Sequence, residues 1–151
     1  MPNQATYDDA NLILRLYELR REETMRKARA WFVRHFLPAN REEYLALCPP
    51  GSEEDAYFRM VTTYWEMAAS FITSGVLNQD LFLDSGNELI LVWDRVRDLA
   101  PVWRQTMSPR FAKHVQTVAE AGIERMDRSN PGAFARFSER TRSMVPKPAS
   151  K

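Results

Sequence analysis

A chain of 151 residues, 44% hydrophobic and carrying 4 Trp, 5 Tyr and 8 Phe, can bury a core as one domain without a metal or disulfide to hold it. Its one cysteine, Cys48, excludes an internal disulfide. Its two histidines, His35 and His114, leave a zinc site short of ligands unless carboxylates supply the rest. Formal net charge is only +1, yet residues 41–100 hold 4 basic against 11 acidic side chains and residues 101–151 hold 10 against 4. That polarity fits either acidic and basic helices cancelling side by side, or a surface that guides self-association or an anionic partner.

The first helix is predicted from Asp8 to Phe36. Asp8 and Asp9 suit the positive end of a helix dipole, and Pro38 stops the chain. Leu12, Leu16 and Leu19 make an apolar stripe, the candidate self-association surface. Arg20–Lys27 is almost wholly charged, with Glu22/Arg26 and Glu23/Lys27 at the favourable i,i+4 spacing. A helix of that length spans roughly 40 Å, more than a compact domain needs, so one end is expected to project toward a partner. Asn40 and Glu43 form a capping-box pattern for a short helix that Pro49-Pro50-Gly51 ends.

Ser52 and Asp55 open the next helix and Gly75 closes it. It carries one stripe of Tyr57, Met60, Tyr64, Met67 and Phe71 and another of Phe58, Trp65 and Ile72; a helix apolar on two sides is expected at the centre of a bundle. Asn78 caps a brief turn through Leu81–Leu83. Leu89, Trp93, Val96, Ala100 and Trp103 then recur at helical spacing, with Pro101 predicting an end or kink near Ala100. Ser108-Pro109 predicts the start of a helix whose inner face is Phe111, Val115, Val118, Gly122 and Met126. Asn130-Pro131 opens a last short helix with Phe134 and Phe137, and 146–151 reads as a disordered tail. The fold class is all-α: a single-domain helical bundle over 1–145 with a long N-terminal helix, two central aromatic-rich helices and shorter C-terminal helices.

The segment Tyr64-Trp65-Glu66-Met67-Ala68, then Gly75-Val76-Leu77-Asn78 with Leu81-Phe82, then Trp93 before Leu99-Ala100-Pro101, resembles a family of bacterial helical proteins classed as a domain of unknown function. The resemblance covers roughly residues 57–115, leaving the first helix and the basic tail outside. It implies a helical fold and a bacterial origin, and carries no catalytic residue with it.

Candidate chemistry is sparse. Cys48 stands at a helix C-terminus, which disfavours a thiolate, and reads as a small buried hydrophobe. No Glu-x-x-His pair of the carboxylate-bridged bundles occurs. Glu53, Glu54 and Asp55 sit where acids serve the helix dipole anyway. Asp94 and Asp98, interleaved with Arg95 and Arg97, read as a solvated, salt-bridged face. Glu66 reads either as a boundary carboxylate paired with a basic helix or as a partly buried acid at a binding groove. The glycine-rich phosphate loops of nucleotide enzymes are absent. Arg125, Arg128, Arg136 and Arg140, within a wider basic set from Arg104 to Arg142, are the candidate anion or nucleic-acid contacts, although Glu120, Glu124, Asp127 and Glu139 interrupt them.

The longest apolar run, Leu89–Trp93, is too short to span a membrane. Met1–Asp9 lacks a basic and then apolar leader, so a cytoplasmic setting is expected. These features together predict a non-enzymatic protein-interaction or scaffold module that self-associates as a homo-oligomer. It would have no cofactor and no metal. The alternatives are a regulatory nucleic-acid binder using the basic C-terminal third, and an enzyme acting through Glu66 with Tyr64 or Trp65.

Overall fold

The computed structural model describes residues 4–147. The expected tail over 146–151 falls, from residue 148 on, outside the described residues. The described chain forms nine helices and no strands: α1 Tyr7–Arg20, α2 Glu23–His35, α3 Arg41–Leu47, α4 Glu53–Thr73, α5 Gln79–Asp84, α6 Glu88–Val96, α7 Ala100–Thr106, α8 Lys113–Ser129 and α9 Ala133–Arg142. They enclose one continuous core, and no helix among the described residues is long and apolar enough to cross a membrane.

The single long helix expected over 8–36 is two helices. A full capping box starts α1: the Thr6 hydroxyl accepts the Asp9 N–H, and the Asp9 carboxylate accepts the Thr6 N–H at 2.7 Å. The break falls at Glu22, whose ψ of 145° leaves helical space and whose carboxylate accepts the N–H groups of Thr24 and Met25 to start α2. Glu22 therefore caps a helix instead of pairing with Arg26, while Glu23 and Lys27 do pair at 3.4 Å. The physical cause is phase. At 100° per residue, an unbroken helix would set Met25, Ala28 and Phe32 roughly 120–180° around the axis from Leu16. All four are buried, so the axis has to turn for both faces to reach one core.

Helix α4 lies against α2 on one side and α8 on the other. Its Phe58, Trp65 and Ile72 stripe is buried. Tyr57, Met60, Tyr64 and Phe71 are half-buried against the core, and Met67 is exposed. A run of rings links the helices: Phe32 stacks on Phe36 at 4.7 Å, Phe36 on Phe58 at 5.1 Å, and Tyr44 meets Trp103 edge-on at 4.4 Å. The break near Pro101 is present, with α6 ending at Val96 and Pro101 in the first turn of α7. The expected start at Ser108-Pro109 is not: α8 begins at Lys113, after a turn and an Ala112 in left-handed conformation (φ 54°).

The most enclosed element is α6, in which every residue from Leu89 to Val96 is buried. This overturns the solvated face expected at 94–98: Asp94 and Arg95 are each 1% exposed, and only Arg97 and Asp98 reach solvent. Arg95 donates through Nη1 to the carbonyls of Phe32 (3.2 Å) and Phe36 (2.9 Å), at the C-terminal end of α2. Through Nη2 it donates to Thr141 (2.6 Å), at the C-terminal end of α9. The negative ends of two helix dipoles thus surround one guanidinium. Burial lowers its pKa to about 10, which leaves it charged at neutral pH. Asp94 beside it accepts the Ser138 hydroxyl at 2.8 Å and Arg142 Nε at 2.9 Å, with Arg97 at 3.2 Å.

Asp9 also ties α1 to the chain entering α5, since its Oδ1 accepts the Asn78 N–H at 2.9 Å. Backbone N–H donors from Thr6 and Asn78 hold its carboxyl below the usual carboxylate range. A group whose folded pKa is depressed contributes stability above its unfolded pKa and loses it as pH falls through the folded value. Asp9→Asn should therefore melt a few degrees below wild type at pH 7. In thermal melts recorded across pH, that gap should close only below the ordinary aspartate range.

Candidate functional site

A large concave surface lies where α4, α7 and the α7–α8 turn meet. A cleft of about 480 Å³ is lined by Phe58, Thr62, Trp103 and Phe111, with Met107 on its lip and Arg59 and Arg110 at its rim. Met107 is 67% exposed. A second depression of about 420 Å³ continues from it, shares Phe58, Arg59, Trp103 and Met107, and reaches Tyr44, Cys48 and Arg41. The floor is aromatic because α4 turns Phe58 inward one turn before Thr62, and α7 and the following turn bring Trp103 and Phe111 over it.

Polar groups on this wall are mostly engaged. Glu66, the candidate groove acid, lines the cleft, yet its two carboxylate oxygens accept the N–H groups of Val115 (2.8 Å) and His114 (3.3 Å). No basic side chain among the described residues pairs with it. It caps α8 from a distance, replacing the side-chain cap that Ala112 cannot supply. Asp55 accepts the Tyr44 hydroxyl at 2.8 Å, and burial foremost raises the pKa of that phenol. Cys48 is fully buried, and burial pushes its thiol up to about 12, far from a thiolate nucleophile. The imidazole of His114 meets the Thr73 hydroxyl at 2.6 Å, and His35 is exposed at the end of α2. Among the described residues no group of three or more His, Cys, Asp or Glu could hold a metal ion.

The other candidate residues do not assemble into one surface. Leu16 is buried in the core and Leu12 half-buried against it; only Leu19 of that stripe is exposed. The open apolar face of α1 is a different one, made by Tyr7 (80% exposed), Leu14 (58%) and Tyr17 (44%), with Ala10 between them. Beside it lies a depression of about 280 Å³ lined by Ile13, Leu14, Tyr17, Arg20, Tyr64, Trp65 and Phe82. The Trp65 indole N–H is buried there without a hydrogen-bond partner among the described residues. The four arginines are divided between α8 and α9. Arg125 pairs with Asp84, Arg128 with Glu124 at 3.0 Å, and Arg136 donates to the Pro131 carbonyl, which leaves Arg140 without a side-chain partner among the described residues.

A family model described as a domain of unknown function, DUF4760, matches residues 5–122. The chain belongs to this family. The match takes in α1 and α2, which the resemblance over residues 57–115 had left outside, and it ends before α9. No curated protein and no solved structure matches the chain.

If Glu66 is a cap, Glu66→Ala should destabilise the fold by about 1–2 kcal/mol, the range for losing an N-terminal cap. Chemical denaturation measures the loss, and faster amide exchange at His114 and Val115 would locate it. Unchanged stability and exchange would return Glu66 to the list of candidate site acids.

Proposed function

We propose that this chain is a non-enzymatic helical interaction module that self-associates through the outer face of α1. The observation that carries the proposal is the spacing Tyr7, Ala10, Leu14, Tyr17, a repeat of three and four residues confined to an arc of roughly 80°. Three of the four side chains stand open to solvent on a helix whose other face already serves the core.

Antiparallel pairing of two copies suits the pattern. Placing Tyr7 against Tyr17 of the partner subunit sets Ala10 against Leu14 of the partner subunit, a small residue against a large one. The relation is reciprocal, as a two-fold axis requires. The apolar depression beside Leu14 and Tyr17 offers a receptacle for the protruding Tyr7 ring of the second copy.

A nucleic-acid function draws less support, because three of the four candidate arginines already have partners within the chain.

A single helix face is a small interface, so association should be reversible and concentration-dependent. Sedimentation velocity at several concentrations should give a mass rising toward that of a dimer. Leu14→Glu should hold the protein monomeric without lowering its melting temperature. A wild-type protein that stays monomeric at every concentration contradicts the proposal.

A further inference from the structure

The α1 face leaves the cleft over Phe58, Trp103 and Phe111 unexplained, and its chemistry is of another kind. We propose that this cleft binds a small amphiphilic monocarboxylate, an apolar body of about ten carbons bearing one anionic head.

The apolar part follows from the lining and the size. Three aromatic rings and Met107 form the walls of about 480 Å³, within the range that holds a small organic ligand. Thr62 and Thr63 do not soften that character. The Thr62 hydroxyl is given to the Phe58 carbonyl at 2.8 Å and the Thr63 hydroxyl to the Arg59 carbonyl at 2.6 Å.

The sign of the head follows from which charges are free. Glu66, the carboxylate that lines the cleft, is committed to the start of α8, and Asp55 of the adjoining depression to the Tyr44 hydroxyl. The cations are not. Arg110 is exposed with no partner among the described residues, and Arg59 keeps only a long i,i+4 contact of 3.6 Å with Asp55. The Ser108 hydroxyl, also in the lining, likewise has no hydrogen-bond partner within the described chain. The rim thus presents guanidinium and hydroxyl donors to an acceptor, the arrangement that suits a planar carboxylate. A single negative charge fits better than two, since the Glu66 carboxylate in the same lining would repel a dianion.

This site is independent of self-association, and the test keeps the two apart. The full chain, as wild type and as Leu14→Glu, is titrated by calorimetry with decanoate, decanol and decyltrimethylammonium below their micellar concentrations. Decanoate should bind both proteins saturably with one molecule per chain. Decanol should bind at least tenfold more weakly and the cation not at all. Arg110→Gln, at an exposed position that leaves folding intact, should weaken decanoate about tenfold and leave decanol unchanged. Perturbation of the Met107 methyl resonance by decanoate should place the ligand in the cleft. Equal binding of all three amphiphiles, no saturable decanoate binding, or an unchanged affinity in Arg110→Gln would overturn the proposal. So would loss of binding in Leu14→Glu, which would make the site a property of the dimer. An acidic Leu/Glu amphipathic peptide that binds there when decanoate does not would assign the cleft to a protein segment and overturn it as well.

Discussion

The guanidinium of Arg95 is the point at which three helices are joined. It projects from α6, the most enclosed helix, and donates to carbonyls that end α2 and α9. No carboxylate shares its hydrogen bonds. The helix ends supply the compensating charge, since the last carbonyls of a helix carry the negative end of its dipole. Asp94, one residue earlier, anchors the other half of the network by taking Ser138 and Arg142 from α9. Adjacent residues on one buried helix thus hold α9 by both its side chains and its backbone.

The same device recurs at smaller scale. Arg29 of α2 grips Glu88 at the start of α6 and also donates to the Arg20 carbonyl that ends α1, at 3.0 Å. Arg104 of α7 donates to the Phe111 carbonyl at 2.8 Å, fixing the turn that forms one wall of the cleft. Glu66 does the converse at the start of α8. Short helices leave many unpaired backbone groups, and nine of them in one small domain need non-local partners for those groups. Much of the polar inventory is therefore structural, which is why the acids and bases that first suggest chemistry turn out to be committed. The side chains left over, Arg110, Met107 and the outer face of α1, are the ones free to meet something else.

Much of this was legible in the sequence. Asn40, Ser52 and Asn78 mark helix starts through local capping chemistry, and Gly75 and Pro101 mark breaks through backbone restriction, so each is readable within a few residues. The inner stripe of α4 follows from its 3.6-residue period. The division of the first helix was also encoded, in the shift of phase between Leu16 and Met25, but the charged residues between them read as i,i+4 pairs that would bridge it. What the chain hid are the distant contacts. Nothing near Glu66 announces an α8 N-terminus 48 residues on. An Asp-Arg pair on an amphipathic helix looks solvated until α9 covers it. The cleft was only partly legible: Phe111 was expected to face inward, and one of the two readings of Glu66 set it at a groove. Its floor needed Trp103 and Phe58 to be brought together by α7 and α4. The open face of α1 could have been found by scanning for a second stripe beside Leu12, Leu16 and Leu19.

Removing a buried arginine does not have to destabilise a protein, because the desolvation cost of the charge is removed with it. The claim that Arg95 organises this fold is therefore specific: its hydrogen bonds to the ends of α2 and α9 outweigh that cost. Arg95→Met keeps most of the volume and removes every donor, so urea unfolding of this variant tests the claim directly. A loss of about 2–4 kcal/mol, with amide exchange accelerated first in α9 and the last turn of α2, is the predicted result. A variant as stable as the wild type, or more stable, would contradict it.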